Sequence, residues 1–145
     1  MPSVLDVLAV KGNQVHSIAP TATVLEATQK MNANKLGALL VMHEGQVAGI
    51  FTERDVLRRV VAEQRDPSSC RVAEVMTTDV ICCHAEDDLD EISQLMQQKR
   101  VRHVPVCDAN DRIIGMVSIG DVNAYHASHQ EAHINFLSEY IYGRV

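Results

Sequence analysis

The sequence contains few aromatic residues: phenylalanine, tryptophan and tyrosine make up 3% of its 145 residues, and tryptophan is absent. It also lacks an excess of basic residues, because 13 lysines and arginines stand against 19 aspartates and glutamates, giving a formal net charge of −6. Proteins that bind nucleic acid without regard to its sequence normally present a basic face. This charge balance therefore argues against a nucleic-acid partner.

Long hydrophobic runs are missing as well. No stretch is apolar over the roughly 20 residues that a bilayer-spanning helix needs, so we expect no membrane association. The first residues lack the basic and apolar segments of a secretory signal, which favours a cytoplasmic location. The four cysteines form no C-x-x-C pair, which is typical of a reduced compartment; they are Cys70, Cys82, Cys83 and Cys107.

A seven-residue pattern occurs twice, as GIFTERD at residues 49–55 and as GMVSIGD at residues 115–121. Each copy has a glycine, two apolar residues, a hydroxyl residue and then an aspartate three positions further on. This pattern predicts a buried strand that leads directly into a helix, with Thr52 or Ser118 at the helix N-cap. The chain is therefore built around two equivalent strand-helix junctions.

The similarity between the halves extends upstream of these motifs, at an offset of 65 residues. Met31 matches Met96, and two capping boxes, Thr23-x-x-Glu26 and Asp88-x-x-Glu91, begin equivalent helices. The second copy has one extra residue in its turn, where HEGQ (43–46) becomes DANDR (108–112). A repeat of this length indicates one supersecondary unit that has been duplicated.

Hydrophobic periodicity predicts a β-α-β-β-α unit, twice, in the α+β class. A tight turn makes adjacent strands antiparallel, whereas a strand-helix-strand crossover makes them parallel, so each sheet is expected to be mixed. After Thr52, the pattern predicts a helix with Val56, Leu57, Val60 and Val61 on one apolar stripe. The other predicted helices are 3–10, 23 onward, 72–76, 89–99 and a long last helix; the predicted strands are 15–18, 38–42, 47–51, 80–83, 103–107 and 113–117.

This order predicts four segments. Residues 1–10 form an N-terminal helical segment, 11–64 the first domain, 65–71 a polar linker, and 72–145 the second domain, which ends in the long helix. Along that last helix, His126, His129 and His133 recur at helical spacing with Glu131 nearby. They could form a metal-binding face, but an exposed polar helix surface is the favoured explanation, so no metal site is expected there.

The two aspartates of the repeated motif allow two interpretations. Thr52-x-x-Asp55 and Ser118-x-x-Asp121 fit capping boxes, in which the acid stabilises the first helical turn. A carboxylate at a helix start can also accept both hydroxyls of a ribose, and one residue can serve both roles. No arrangement of nucleophile, base and orienting group is visible, so an enzyme is not expected.

The duplicated motif, together with RHVPV at residues 102–106, resembles the CBS domain, named after cystathionine beta-synthase. Two such domains in tandem form a CBS pair, or Bateman module, and the resemblance covers roughly residues 11–140. The chain is similar to small stand-alone proteins of this kind. The resemblance implies two packed CBS units related by a pseudo-two-fold axis, with two clefts that bind adenosine nucleotides.

The resemblance also implies the residues of each cleft. The motif aspartate would take the ribose hydroxyls, the hydroxyl residue would lie near phosphate, and the opposing wall would come from the other repeat. The first cleft would use Thr52, Arg54, Asp55, Thr78, Ile81, Arg102, His103, Val104 and Pro105. The second would use Lys11, Gln14, His16, Leu36, Gly37, Ala38, Ser118 and Asp121. The first is expected to hold phosphate better, because its wall carries Arg102 and His103 where the second has Gly37 and Ala38.

The function implied by the resemblance is a non-enzymatic regulatory sensor. AMP is the first expected ligand, ADP, ATP and NAD are the next, and a homodimer that acts on an unidentified regulated protein is the expected assembly. Two alternatives remain open at this point. One is a structural or protein-interaction dimer without a physiological nucleotide, and the other is a redox- or metal-responsive protein that uses Cys82, Cys83 or the three histidines.

Overall fold

The computed structural model describes residues 2–129 of the chain. Its backbone divides into two compact units: a continuous unit, Gln14–Ile81, and a discontinuous unit that combines residues 2–13 with residues 82–129. Each unit has its own hydrophobic core. The predicted α+β fold class is confirmed, because each unit combines one three-stranded sheet with helices.

The helices and strands of the described residues follow one another in the order that the repeat predicts. They are α1 (Val4–Lys11), β1 (Ser17–Ile18), α2 (Val24–Asn34), β2 (Ala38–His43), β3 (Gln46–Thr52), α3 (Glu53–Asp55), a π-helical segment (Val56–Val61), α4 (Val72–Val75), β4 (Cys83–His84), α5 (Leu89–Lys99), β5 (His103–Cys107), β6 (Ile113–Ser118) and α6 (Ile119–His129).

The two sheets have the same mixed topology. In the continuous unit, β2 lies between β1, to which it is parallel, and β3, to which it is antiparallel. In the discontinuous unit, β5 occupies the same central position between β4 and β6. The apolar run that fills β2 is buried on both sides of the sheet, with Leu39, Leu40 and Val41 fully buried. This confirms the predicted mixed sheets.

Capping and apolar spacing explain α2. The Thr23 hydroxyl accepts a hydrogen bond from the Glu26 backbone N–H at 3.1 Å, and the Glu26 carboxylate accepts one from the Thr23 N–H at 3.1 Å. Val24, Ala27 and Met31 then lie on the buried face, as their spacing predicts. The helix is positioned by this face against the sheet that carries the first motif.

Each unit contains one repeat together with the short segment that comes, in sequence, just before the other repeat. Helix α1 packs in the discontinuous unit, where the Leu5 N–H donates to the Ala85 carbonyl at 2.9 Å. Residues 65–77 pack in the continuous unit, where the Val72 N–H donates to the Ala22 carbonyl at 2.8 Å. The proposed segment boundaries stay a prediction. Backbone hydrogen bonds attach both helix α1 and residues 65–77 to the units that contain them.

These segments explain why each motif begins with glycine. A Cβ atom at Gly49 would lie 2.7 Å from the Thr77 carbonyl oxygen and 2.8 Å from the Met76 sulfur. A Cβ atom at Gly115 would lie 2.8 Å from a methyl carbon of Leu8, on α1. At Gly49 the neighbouring atom belongs to the backbone, so only a residue without a side chain allows this close approach. At Gly115 the neighbouring atoms are the end of a flexible side chain, which can move aside.

Two predicted strands begin too early. The predicted strand 15–18 is only Ser17–Ile18, and the predicted strand 80–83 is Cys83–His84. Each is limited to the two residues that pair with the central strand of its sheet. The apolar residues at 80 and 81 extend the sequence pattern, but a strand also requires a neighbouring backbone with which to pair.

The predicted stripe after Thr52 is confirmed for two of its four residues and wrong for the other two. Val60 is buried and Val56 packs against the same core, whereas Leu57 and Val61 are each 62% exposed. The segment Val56–Val61 is a π-helix, in which hydrogen bonds run from i to i+5 and a turn takes more than four residues. Residues four apart therefore lie almost above one another, and Leu57 and Val61 share an outer face.

The Asp88 side chain does not form the predicted capping box. Asp88 occupies the N-cap of α5, but its side chain makes no capping hydrogen bond, and its buried Oδ1 has no hydrogen-bond partner within residues 2–129. The backbone around it is instead occupied by the N-terminal strand-like segment: the Leu89 N–H donates to the Pro2 carbonyl at 3.0 Å, and Ser3 pairs with Asp88.

Helix α6 confirms the start of the predicted last helix, and Val122 on this helix is fully buried. Two predictions, the length of this helix and the metal-binding histidine face, extend to residues such as Glu131 and His133, which lie outside the described residues. Between residues 2 and 129, no helix is both long and apolar enough to cross a bilayer.

Candidate functional site

The first motif forms the predicted capping box at the junction of β3 and α3. The Thr52 N–H donates to Asp55 Oδ2 at 3.0 Å, and the Asp55 N–H donates to the Thr52 hydroxyl at 3.4 Å. This confirms the capping interpretation of the aspartate. The geometry leaves the second carboxylate oxygen, Oδ1, for other partners.

Asp55 Oδ1 is held by side chains that the sequence did not identify. The Thr77 hydroxyl donates to it at 3.2 Å, and Arg59 Nε lies 3.7 Å away. Thr77 is brought there by a short antiparallel bridge to Ile50, with hydrogen bonds of 2.9 Å in both directions. The i, i+4 spacing could have revealed Arg59, whereas Thr77 is 22 residues away and carries no local signal.

The second motif forms the equivalent capping box at the junction of β6 and α6. The Ser118 N–H donates to Asp121 Oδ2 at 2.8 Å, and the Asp121 N–H donates to the Ser118 hydroxyl at 3.0 Å. Here the additional partner is Lys11, whose ammonium lies 2.6 Å from Asp121 Oδ2 and also donates to the Met116 carbonyl at 2.7 Å. The structure thus joins three residues, Lys11, Ser118 and Asp121, that the family resemblance assigns to the second cleft.

The environment of Asp121 keeps its carboxylate charged. Partial burial acts to raise the pKa of Asp121, but hydrogen bonds from Lys11 and Ser118 and the positive charge of Lys11 outweigh burial, so the pKa lies below its ordinary value. A charged carboxylate is the form that accepts hydroxyl hydrogen bonds. Next to it stands an ammonium group that can donate to an anion.

The two motif carboxylates differ in accessibility. The Asp55 side chain is 7% exposed, whereas the Asp121 side chain is 24% exposed and its partner Lys11 is 33% exposed. The Asp55 carboxylate therefore makes internal hydrogen bonds. The Asp121 carboxylate is partly open to solvent, and so is its partner Lys11, which has a long and flexible side chain. Among the described residues, the Lys11–Asp121 pair is the motif group most accessible to a ligand.

Strand pairing places several other predicted residues beside the capping boxes. Ala38 pairs with Thr52, and the Gly37 carbonyl accepts from the Glu53 N–H at 3.1 Å. His103 pairs with Ser118, and the Arg102 carbonyl accepts from the Ile119 N–H at 2.9 Å. The backbone before each central strand therefore lies next to the motif of its own unit.

The remaining predicted site residues differ in burial. The continuous unit holds Gln14, His16, Leu36, Arg54, Thr78 and Ile81, of which Gln14 and Thr78 are exposed; in the discontinuous unit Val104 and Pro105 are buried in β5. The assignment of all these residues to two clefts stays a prediction.

Cys83 lacks the properties of a redox cysteine. All four thiols are free, and only Cys82 is exposed. Burial raises the pKa of the Cys83 thiol to about 12, and the neighbouring Asp87 adds to this effect. Because the thiolate is the reactive form, Cys83 is unreactive at neutral pH.

The comparisons with known proteins agree with this architecture. Two β-α-β-β-α units, each with a hydroxyl-capped aspartate where its last strand meets a helix, define a tandem-repeat α+β protein. The CBS domain family model matches residues 9–62 and 72–127. The chain therefore belongs to the CBS-domain family and contains two CBS domains, which confirms the resemblance.

Individual relatives match over nearly the whole chain. The CBS domain-containing protein YhcV of Bacillus subtilis is 33% identical over 132 residues, which cover 91% of each chain. A solved protein with CBS domains from Burkholderia ambifaria is 35% identical, with a TM-score of 0.86 over 89% of this chain and 96% of that chain.

A more distant structure shares the fold alone. The CBS domain pair of protein MJ0100 is 22% identical, with a TM-score of 0.79 over 89% of this chain and 98% of that chain. It was solved in complex with 5′-methylthioadenosine and S-adenosyl-L-methionine.

Proposed function

We propose that this protein is a non-enzymatic regulatory module that binds an adenine nucleotide, with AMP as the first ligand and ADP, ATP and NAD as the next. The observation that carries the proposal is the Lys11–Asp121 pair, in which a solvent-facing carboxylate and an ammonium lie 2.6 Å apart at the start of α6. The adenosine ligands of the MJ0100 pair support the same class of ligand.

Each group of the pair has a separate chemical task in this proposal. The Asp121 carboxylate accepts hydrogen bonds from the two ribose hydroxyls, as acidic residues do in dinucleotide-binding folds. Lys11 turns from the carboxylate to the phosphate, where its charge favours a nucleotide over an uncharged nucleoside. Ligand binding thus replaces the Lys11–Asp121 ion pair with two contacts to the nucleotide, from Asp121 to the ribose and from Lys11 to the phosphate.

The proposal retains the two clefts of the family for this chain. In the first cleft, Asp55 would accept hydrogen bonds from the ribose hydroxyls, while Arg54, Arg102 and His103 would donate hydrogen bonds to phosphate. Asp55 must then exchange its hydrogen bond from Thr77 for one from the ligand. We propose that this exchange links occupancy to the position of residues 76–78, and through them to a regulated partner in a reducing, cytoplasmic compartment.

Calorimetric titration with AMP, ADP, ATP, NAD and S-adenosylmethionine tests the proposal. Loss of a hydrogen bond to a charged group costs about 1.5–3 kcal/mol, which corresponds to roughly 10- to 150-fold in affinity. We expect Asp121→Asn, and Asp55→Asn if the first cleft also fills, to weaken AMP binding by that factor. Lys11→Met should weaken AMP more than 5′-methylthioadenosine, which has no phosphate.

Glu26→Gln is the matched control. Glu26 also closes a capping box at a helix start, but it lies outside the repeated motif. It should leave the affinity unchanged while reporting any general effect of a weakened capping box on folding. Absence of binding by all five ligands to folded, ligand-free protein would refute the nucleotide proposal.

A homodimer is the second element of the proposal, and it is supported by the outer face of the π-helical segment. Leu57 and Val61 expose apolar side chains side by side on the continuous unit, and apolar surface of this kind is commonly covered in an assembly. If no nucleotide binds, this surface favours the interaction-protein alternative. Light scattering of Leu57→Lys and Val61→Lys should show monomers, whereas Val10→Lys, at an exposed position on α1, should leave the mass of the wild type.

A further inference from the structure

We propose a binding site for a zinc-like divalent transition metal in the discontinuous unit, formed by His84, Cys107 and Asp111, with Cys82 as the fourth ligand. The site is separate from both capping boxes, and the proposal does not depend on nucleotide binding. It differs from the metal-binding face that the histidine spacing of the last helix suggested.

Strand pairing brings the first two ligands together. Strand β4 runs parallel to β5, with His84 opposite Cys107. The His84 Nε2 and Cys107 Sγ atoms are 4.0 Å apart. Both residues lie at the ends of their strands, so the pair points to the edge of the sheet where the β5–β6 turn begins.

The β5–β6 turn supplies the third ligand. The turn is shaped by Asp108, whose Oδ1 accepts from the Asn110 and Arg112 N–H groups at 2.8 and 3.0 Å. The Asp111 carboxylate is not among these acceptors, and its backbone adopts a left-handed conformation with φ 61°. The longer turn of the second repeat thereby places Asp111 beside the thiol, and the donor atoms of His84, Cys107 and Asp111 lie within 4.8 Å of one another.

These separations suit a small tetrahedral ion. Bond lengths of about 2.0–2.3 Å place the ligands of tetrahedral zinc roughly 3.5 Å apart. The three donors therefore need to approach by about 1 Å, which small rotations of the exposed His84 and Asp111 side chains can supply. Cys107, which is buried, provides the fixed position.

We assign Cys82 as the fourth ligand from its place in the chain. The donor atoms that lie within 4.8 Å of one another are those of His84, Cys107 and Asp111, so the Cys82 side chain has to turn toward them. Cys82 stands two residues before His84, and alternate residues of an extended chain point to the same side. Cys82 is exposed and can turn toward the ion.

The first repeat provides an internal comparison. The offset of 65 that aligns the halves places Ser17, Ala19 and Met42 where the second repeat has Cys82, His84 and Cys107. The short turn at residues 43–46 has no counterpart of Asp111. The second repeat therefore carries a full set of ligands at positions where the first has none of the residue types that bind zinc.

The donor types select the class of metal. Thiolate and imidazole ligands suit zinc, cobalt, nickel and copper, whereas magnesium and calcium require oxygen ligands. Two thiolates, one imidazole and one carboxylate match the ligands of tetrahedral zinc sites. Metal binding releases the thiol protons of Cys82 and Cys107 to solvent. Without metal, the Cys107 thiol donates to the Cys83 carbonyl at 3.5 Å.

Cobalt provides a direct probe of this geometry. The full-length protein, without a polyhistidine tag, is reduced, freed of metal with a chelator and titrated with Co²⁺, followed by Zn²⁺. We expect one equivalent of Co²⁺ to bind with a sulfur-to-cobalt charge-transfer band and tetrahedral visible bands, and one equivalent of Zn²⁺ to remove them.

The ligand variants are His84→Ala, Asp111→Ala, Cys82→Ser and Cys107→Ala. Each should weaken Co²⁺ binding at least tenfold, and Cys107→Ala and Cys82→Ser should also reduce the charge-transfer band. His84 and Asp111 are exposed, so their variants test the site even if Cys107→Ala fails to fold. The controls are Cys70→Ala, a buried thiol of the continuous unit, and His43→Ala, an exposed histidine in the equivalent turn.

Three results would overturn the proposal. The first is reduced protein that binds no Co²⁺ or Zn²⁺. The second is binding that persists in His84→Ala and Asp111→Ala but disappears when His126 and His129 are replaced. The third is a Cys82–Cys107 disulfide in air-exposed protein together with no metal binding after its reduction, which would assign the paired thiols to redox chemistry.

Discussion

The contact between Gly49 and the segment around Thr77 can be tested with a single methyl group. In Gly49→Ala, the added Cβ would lie 2.7 Å from the Thr77 carbonyl oxygen, and that oxygen belongs to backbone. Relief requires the Thr77 segment to move by several tenths of an ångström, which weakens the two 2.9 Å hydrogen bonds between Ile50 and Thr77. Overpacking of this kind costs about 1–3 kcal/mol.

Gly115→Ala is the matched comparison at the equivalent position of the second motif. Its Cβ would meet the end of the Leu8 side chain at 2.8 Å, and a flexible side chain can rotate away for about 0.5–1.5 kcal/mol. Replacing glycine by alanine also restricts the unfolded chain, which stabilises both variants by about 0.4–1 kcal/mol. The net loss of stability should therefore be about 1–2 kcal/mol for Gly49→Ala and close to zero for Gly115→Ala.

Urea denaturation, followed by circular dichroism, measures both free energies of unfolding. Gly49→Ala should in addition disturb the hydrogen bond from Thr77 to Asp55, whereas Gly115→Ala leaves that contact intact. Equal stability of the two variants, or a larger loss in Gly115→Ala, would show that the close approach at Gly49 does not constrain the backbone and would refute the reasoning.

Three further predictions follow from single contacts. Lys11→Met should lower the free energy of unfolding by about 1 kcal/mol at pH 7, because the ion pair with Asp121 is partly exposed. The pKa of Asp121 is lowered in the folded protein, so this difference should be present above pH 4 and disappear as the pH falls through the lowered pKa. Urea denaturation between pH 3 and 7 measures it. Thr77→Val should destabilise the protein by about 1.5–3 kcal/mol by removing a hydrogen bond to the buried Asp55 carboxylate, and Thr78→Val, at an exposed neighbouring position, should not. Leu89→Ala should lower the free energy of unfolding by about 2–5 kcal/mol, because the Leu89 side chain is fully buried in the core of the discontinuous unit. Leu25→Ala, at an exposed position, should lower it much less in the same urea measurement.

Local patterns predicted the elements whose limits are set locally. Helix α5 and strand β5 have the predicted bounds, Leu89–Lys99 and His103–Cys107. Helix α5, for example, ends before Arg100, whose left-handed backbone does not continue an α-helix. Apolar spacing also predicted the buried residues of α2, because an amphipathic helix has one face toward the core.

The errors arose where distant parts of the chain decide the outcome. Strand β4 is limited by its pairing with β5, and the Asp88 side chain lost its capping role where the N-terminal residues pair with the same backbone. Apolar spacing also could not show that the core reaches only Val56 and Val60 and leaves Leu57 and Val61 exposed. In each case tertiary packing decides the outcome.

The same distinction applies to the candidate site. The capping boxes at Thr52 and Ser118 are local, and the motif spacing predicted both. The family resemblance placed Lys11 with Asp121, a contact across 110 residues that no periodicity could indicate. Neither source identified Thr77 or the cluster at Cys107, because both depend on which strands pair.

The placement of α1 in the discontinuous unit has a consequence for the order of folding. The continuous unit, Gln14–Ile81, can complete its core as soon as that stretch of chain has been synthesised. Helix α1 is made first, but Leu8 must wait for Gly115, and Lys11 for Asp121, before either has its native neighbour. Closing a loop of more than 100 residues is entropically costly and slow compared with local contacts. The carboxylate of Asp55 should therefore reach its native surroundings early during synthesis, and the ion pair at Asp121 should be among the last contacts to form.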